Sequence, residues 1–305
     1  MRNMVKHLKR NYFFYLLALP GTIILFLFSY MPMSGIYLAF EDYNYRGGLF
    51  GSEFVGWDNF KYLFGNSNLL LRAIRNTLVI NFGNIIFGTI VNVATAVMLN
   101  EVGREWFRKT TQTLILFPYF LSWIIVGTLS NALLDTKGGV LNQIIEFFGG
   151  EKIRWSMEPQ YWWAIIIIAS VWKCFGYSSI VYYSTISGFN PSIYEAARVD
   201  GAGRWKQVWN ITLPMLKPTI ALMFLLSVGG ILGGSLEQIM GMTKLGPYLI
   251  STTDTITTFV YRATMQDINY GASAAASMFQ SVVGCVLVLT ANLVAKKMDP
   301  DYALF

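Results

Sequence analysis

The sequence predicts an all-α integral membrane protein with six transmembrane helices, and three observations predict it. Hydrophobic residues make up 54% of the 305-residue chain and charged residues only 13%, whereas soluble domains carry about 25% charged residues. Five long runs, 11–40, 76–100, 110–134, 218–236 and 268–295, contain no Asp, Glu, Lys or Arg, and a sixth, 159–194, is interrupted by Lys173 alone. A bilayer core takes roughly 20 apolar residues as a helix, so each run can cross once. Basic residues also sort by side. With the N-terminus inside, segments 1–12, 100–110, 188–217 and 296–305 hold 13 Lys and Arg, against 9 in the outer loops 36–76, 134–161 and 239–273. Such an excess marks the cytoplasmic side, so both termini are expected there. The spans fall near 13–35, 77–99, 111–133, 162–187, 218–238 and 274–295, within one domain covering 1–305.

The first span follows Arg2, Lys6, Lys9 and Arg10. Its apolar run exceeds the 7–15 residues of a signal-peptide core, so it reads as an uncleaved span. The outer loop 36–76 is rich in Gly and aromatics, and its second half predicts an interfacial helix capped near Asp58.

Span two carries Thr77, Asn81, Asn84, Gly88, Asn92 and Thr95 at helical spacing, inside a stripe of roughly 60–80°. Asparagine amides both donate and accept, which suits sugar hydroxyls. The same side chains also join helix to helix, the favoured account of any single one, while the stripe as a whole marks a wet or subunit-facing surface.

Trp155, Trp162 and Trp163 stand where span four enters from outside and predict an aromatic belt at headgroup level. Lys173 lies mid-span, where a charge costs about 2.5–3.5 kcal/mol on insertion scales, so a cavity, a carboxylate or a carbonyl should meet it. Trp172, Tyr177, Tyr182 and Tyr183 offer aromatic faces nearby, and Cys174 and Cys285 read as small packing residues.

In span five, Gly229-Gly-Ile-Leu-Gly-Gly234 allows close helix approach, the favoured account, or local unwinding beside a cavity. Glu237 and Gln238, at its outer end, are candidate partners of Lys173 or solute ligands.

The inner loop 188–217 has start and stop signals of its own. Ser192 and Glu195 match a capping box, which predicts a helix over 193–200. Gly201 ends it and a second short helix runs over 202–209, with Pro214 and Pro218 bracketing the re-entry into span five. Ala196 and Ala197 leave the helix backbone accessible, beside apolar Ile193, Tyr194 and Val199. Physics alone leaves two accounts even: a helix made for a partner's groove, or one resting on the bilayer surface.

His7 is the sole histidine, and the sequence contains neither a G-x-x-x-x-G-K-[ST] phosphate loop nor H-E-x-x-H. Hydrolysis of ATP by this chain is therefore not expected, nor is nucleic-acid binding, since the inner basic residues form no block.

Glu195-Ala196-Ala197, then Gly201, then Ile211-Thr-Leu213-Pro214 together resemble the EAA loop of permease subunits from binding-protein-dependent ABC importers. Phe40-Glu-Asp-Tyr-Asn44, Val55-Gly-Trp-Asp-Asn-Phe60, Arg75-Asn-Thr77 and Gly229-Gly-Ile-Leu232 extend the likeness to the oligosaccharide and polysaccharide branch. The resemblance implies a coupling helix held in the cleft of a cytoplasmic ATPase. Glu195 would offer charge, Ala196 and Ala197 close approach, and Gly201 the turn, with Leu213 and Pro214 joining the loop to span five. It implies a second, similar permease, two ATPase subunits that bind ATP and Mg, and an extracytoplasmic solute-binding protein. This chain itself would bind no cofactor and would sit in a bacterial cell membrane. An ion-coupled secondary transporter, the alternative, would place acidic residues in the centres of its spans or show repeats, and a membrane-embedded glycosyltransferase or lipid enzyme would need a carboxylate or histidine constellation. The sequence shows neither.

Overall fold

The computed structural model describes residues 10–65 and 69–298. Arg2, Lys6, His7 and Lys9, and the final inner segment beyond 298, lie outside the described residues. The chain is helical almost throughout: α1 (Tyr12–Phe40), α2 (Asp58–Gly65), α3 (Leu69–Glu101), α4 (Glu105–Phe120) and α5 (Trp123–Leu133), α6 (Val140–Phe147), α7 (Pro159–Ser187), α8 (Pro191–Val199), α9 (Arg204–Gly229), α10 (Leu236–Thr243), α11 (Ile256–Met265) and α12 (Tyr270–Met298). Among the described residues the one strand pair is β1 (Glu41–Asp42) with β2 (Glu53–Phe54), antiparallel, which clips the first outer loop shut. Five helices, α1, α3, α7, α9 and α12, are long and apolar enough to cross a membrane, and α4 with α5, which meet at a bend of 95°, make a sixth where the pair is counted as one span.

Span three is therefore not straight. Pro118 is the second residue of a tight 3-10 turn, Phe117–Phe120, after which Leu121 is extended. Ser122 restarts the helix by accepting the Ile125 N–H on its hydroxyl. A proline inside a helix removes one hydrogen bond and presses on the carbonyl four residues back. Elsewhere the chain relieves that pressure by widening a turn. Pro214 stands four residues after Asn210, inside the π-helical section Val208–Thr212, and Pro32 four after Phe28, inside Phe26–Tyr30.

This relief corrects the expectation for the inner loop. No second short helix stops at residue 209, and Pro214 and Pro218 do not bracket a re-entry. Helix α9 runs unbroken from Arg204 through both prolines to Gly229. Span five thus begins earlier than expected and ends earlier too, because the glycine stretch unwinds before Ser235 caps α10.

Helices α3 and α7 form the central pair, with α12 packed against α9, α11 and the outer end of α1. Apolar clusters sit at three levels along α3: Leu63, Leu70, Ile256 and Phe259 about its start, Ile80, Trp162, Ile166 and Met242 in the middle, and Ala96, Tyr182, Ile186 and Leu216 toward its end. Trp162 corrects the belt reading. It is only 2% exposed, and its indole N–H donates to the Trp155 carbonyl at 2.7 Å, so it is a core residue. Trp155 in turn donates to Asn142. Helix α5 meets α10 where Gly127 and Gly241 face each other, and a β-carbon on either would collide with the other helix's backbone. The apolar stretch of α1 buries nothing within the chain.

Candidate functional site

A cavity of about 400 Å³ opens among α3, α7 and α9. The asparagine stripe lines it: Asn81, Asn84, Gly88 and Asn92 all face in, while Thr77 and Thr95, at the stripe's ends, do not. Ser170 and Ser178 of α7 and Ser227 of α9 add hydroxyls, and Tyr177 and Tyr182 supply rings. Among the described residues that line the cavity, none carries a charge.

The asparagines divide by role. Asn81 joins helix to helix: its amide donates to the Ile231 and Gly233 carbonyls at 2.8 and 2.5 Å, groups freed where the glycine stretch unwinds. The unwinding account of Gly229–Gly234 therefore prevails over close packing, except at Gly229, where a β-carbon would meet Val288. Asn84 and Asn92 differ. The side-chain oxygen of each is buried and has no hydrogen-bond partner. A buried acceptor left empty costs free energy, so these oxygens are poised for a donor such as a hydroxyl.

Lys173 does not reach the cavity. It is 8% exposed, and its ammonium donates to the Tyr119 carbonyl at 2.6 Å. The rings of Tyr119 and Trp123 flank it at 5.2 and 5.4 Å. Lys173 thus fills the carbonyl exposed where span three bends. Tyr177 supports the same corner, stacked on Tyr119 at 4.3 Å. Neither Glu237 nor Gln238 partners Lys173: Glu237 is exposed, and Gln238 is buried with its amide on the Ile166 carbonyl. Trp172 turns away, into an apolar recess among α5, α6 and α7.

At the opposite end of α9 lies the inner platform. Helix α8 starts two residues before the expected cap: Asn190 accepts the Ser192 N–H at 3.0 Å and Pro191 takes the first helical position. Asparagine caps at least as well as serine, and proline needs no partner there, so the capping box is not used. Glu195 is left exposed, as are Ala196 and Val199. Helix α8 ends at Val199, with Asp200 as its C-cap. The Gly201 N–H bonds to Arg198 and the Ala202 N–H to Ala197, with Gly201 at φ 76°, the paired pattern that glycine closes without strain. The Tyr194 hydroxyl reaches Thr212 at 3.0 Å and ties α8 to α9. Ile211 and Leu213 are half-buried and Pro214 is exposed.

Sequence reasoning missed one polar cluster. Asp254, 3% exposed, pairs with Arg262 at 2.6 Å and Arg72 at 3.1 Å, while Asn76 donates to the Ser251 and Asp254 carbonyls. No local signal joins residues so far apart in sequence.

A helical protein with a charge-free polar cavity between its spans and a capped helix at one end is built as a membrane transport subunit. The comparisons agree. Residues 84–300 match the family described as the binding-protein-dependent transport system inner membrane component, and the chain belongs to it. It is 38% identical to the polygalacturonan/rhamnogalacturonan transport system permease protein YteP of Bacillus subtilis (strain 168), over 98% of this chain and 92% of that one. Among solved structures it resembles a bacterial ABC transporter involved in the import of the acidic polysaccharide alginate, with TM-score 0.88 and 34% identity over 97% of this chain and 99% of that one. It also resembles a bacterial alginate ABC transporter in complex with alginate pentasaccharide-bound periplasmic protein, with TM-score 0.86 and 35% identity over 96% and 97%. Family membership sets aside the ion-coupled and membrane-enzyme readings.

Proposed function

We propose that this chain is one of two permease subunits in an ATP-driven importer that takes up oligosaccharides or polysaccharide fragments from an extracytoplasmic binding protein. The relatives are named for such substrates, which supports the substrate class. One observation carries the mechanism. Helix α9 is continuous from the inner platform to the cavity wall, 26 residues from Arg204 to Gly229, a rod of about 39 Å. Its far end delivers Ser227 and the unwound Gly230 and Ile231 to the cavity. Its near end is bonded to α8 through Tyr194 and Thr212.

In this reading both termini are cytoplasmic, and α8 lies in the cleft of an ATPase subunit with Glu195, Ala196, Ala197 and Val199 toward it. ATP and Mg bind the ATPases and nothing of the kind binds this chain. When the ATPases close, α8 moves, α9 transmits the displacement, and the unwound glycines let the cavity wall yield. Asn84 and Asn92 accept hydroxyls of the passing sugar. The test is to co-express the chain with its genomic neighbours, purify through a tag on this subunit and weigh the complex by native mass spectrometry. The expected mass is this chain, a sister permease and two ATPase copies. A bare homo-oligomer, with the ATPase well expressed but unbound, would overturn the proposal.

A further inference from the structure

Beyond the outer end of α1, a second pocket of about 460 Å³ lies between β1, α2 and the turn that enters α12. Four carboxylates border it: Glu41, Asp42, Asp58 and Asp267. Lys61 pairs with Asp58 at 2.7 Å. Among the described residues no Lys or Arg forms an ion pair with the other three. Glu41 is the telling member. It is 1% exposed, and its Oε2 is buried with no hydrogen-bond partner. A buried, unpaired carboxylate is costly, and two more acids at the rim raise that cost.

The walls are aromatic. Tyr43, Tyr62 and Tyr270 line the pocket, with Tyr43 and Tyr270 edge to face at 5.1 Å. The turn that carries Asp267 is strained. Ile268 sits at φ 52°, a conformation that a β-branched side chain adopts only when its surroundings force it.

We propose that this pocket receives a single basic side chain, a guanidinium or an ammonium, presented by the extracytoplasmic binding protein. The inference rests on the importer reading and on the outward placement of this loop. The acids supply the charge, and the tyrosine faces suit a cation stripped of water. Glu41 lies deep, so the donor has to be carried on a long arm. A bare metal ion fits less well: among the described residues no three acidic, histidine or cysteine side chains converge to hold one. A sugar hydroxyl would fill the hydrogen bonds but leave the charges unanswered.

The experiment uses the whole importer in nanodiscs, titrated with its binding protein while ATPase activity is followed. The variants are Glu41→Gln and Asp267→Asn, with Glu53→Gln, in the same loop but outside the pocket, as control. Glu41→Gln and Asp267→Asn should each raise the half-stimulating concentration about tenfold or more, with the maximal rate kept and the salt dependence flattened. Glu53→Gln should change none of these. Unchanged half-stimulation by both pocket variants, in complexes of full subunit composition, overturns the inference. So does a half-stimulating concentration that calcium or a chelator shifts in the wild type but not in the variants, which assigns the pocket to a metal ion. Failure of the binding protein to stimulate the wild type at all would instead sink the importer reading.

Discussion

Two side chains that sequence alone treats alike as pathway candidates, Asn84 and Lys173, end in opposite roles. The Asn84 oxygen is buried, unpaired and on the cavity, whereas the Lys173 ammonium is consumed by the Tyr119 carbonyl. Replacing both Asn84 and Asn92 by Leu removes acceptors that bond nothing in the chain, so the purified complex should keep its melting temperature. Uptake should fall about tenfold, the worth of a hydrogen bond or two. A lower melting temperature with uptake intact would show that they hold helices together. Lys173→Met leaves a buried carbonyl unpaired, a loss of about 1–3 kcal/mol to the bend. Uptake of neutral and acidic saccharides should then drop by the same factor. A selective loss for acidic saccharides would show that the ammonium meets solute after all.

At the scale of elements, the Gly201 turn and the Asp254 cluster carry most weight. Gly201 has open space around it, so its constraint is purely its positive φ. Gly201→Val should cost about 1–2 kcal/mol in that turn. The expected outcome is normal insertion and normal melting of the spans, with ATPase subunits lost from the purified complex. A fully assembled complex would deny α8 its coupling role. Asp254 holds α3 to α11 through Arg72 and Arg262, and removing its charge strands two guanidinium groups. Asp254→Asn should cost about 3 kcal/mol in thermal unfolding of the complex. Lys61→Ala, at the exposed pair with Asp58, should stay within about 0.5 kcal/mol.

For the whole molecule, the open apolar face of α1 and the length of α9 suggest one account. Helix α1 buries none of its apolar stretch, so lipid or a sister subunit must cover it. Helix α9 links the platform to the cavity without a joint until the glycines, so force at one end arrives at the other. Because that force would come from ATP, a dissipater of the proton gradient should leave uptake by reconstituted vesicles supplied with ATP unchanged. Collapse of uptake under those conditions would favour ion coupling.

Much of this was legible in the chain itself. Spans one, two, four and six emerge near their expected places because apolar length and charge exclusion are local quantities that a bilayer reads directly. The asparagine stripe was legible for the same reason: helical periodicity places those residues on one face before any packing is known. The turn at Gly201 also lay in the sequence, since a glycine after a short helix has few other uses. Only the tertiary structure decided which polar groups are spent and which are free. Lys173 meets Tyr119, Asn81 meets the unwound glycines and Asp254 meets two arginines. The bend of span three and the continuity of α9 through two prolines were likewise decided there. A hydrogen bond or a relieved clash depends on what another segment brings within 3 Å, and no local pattern records that.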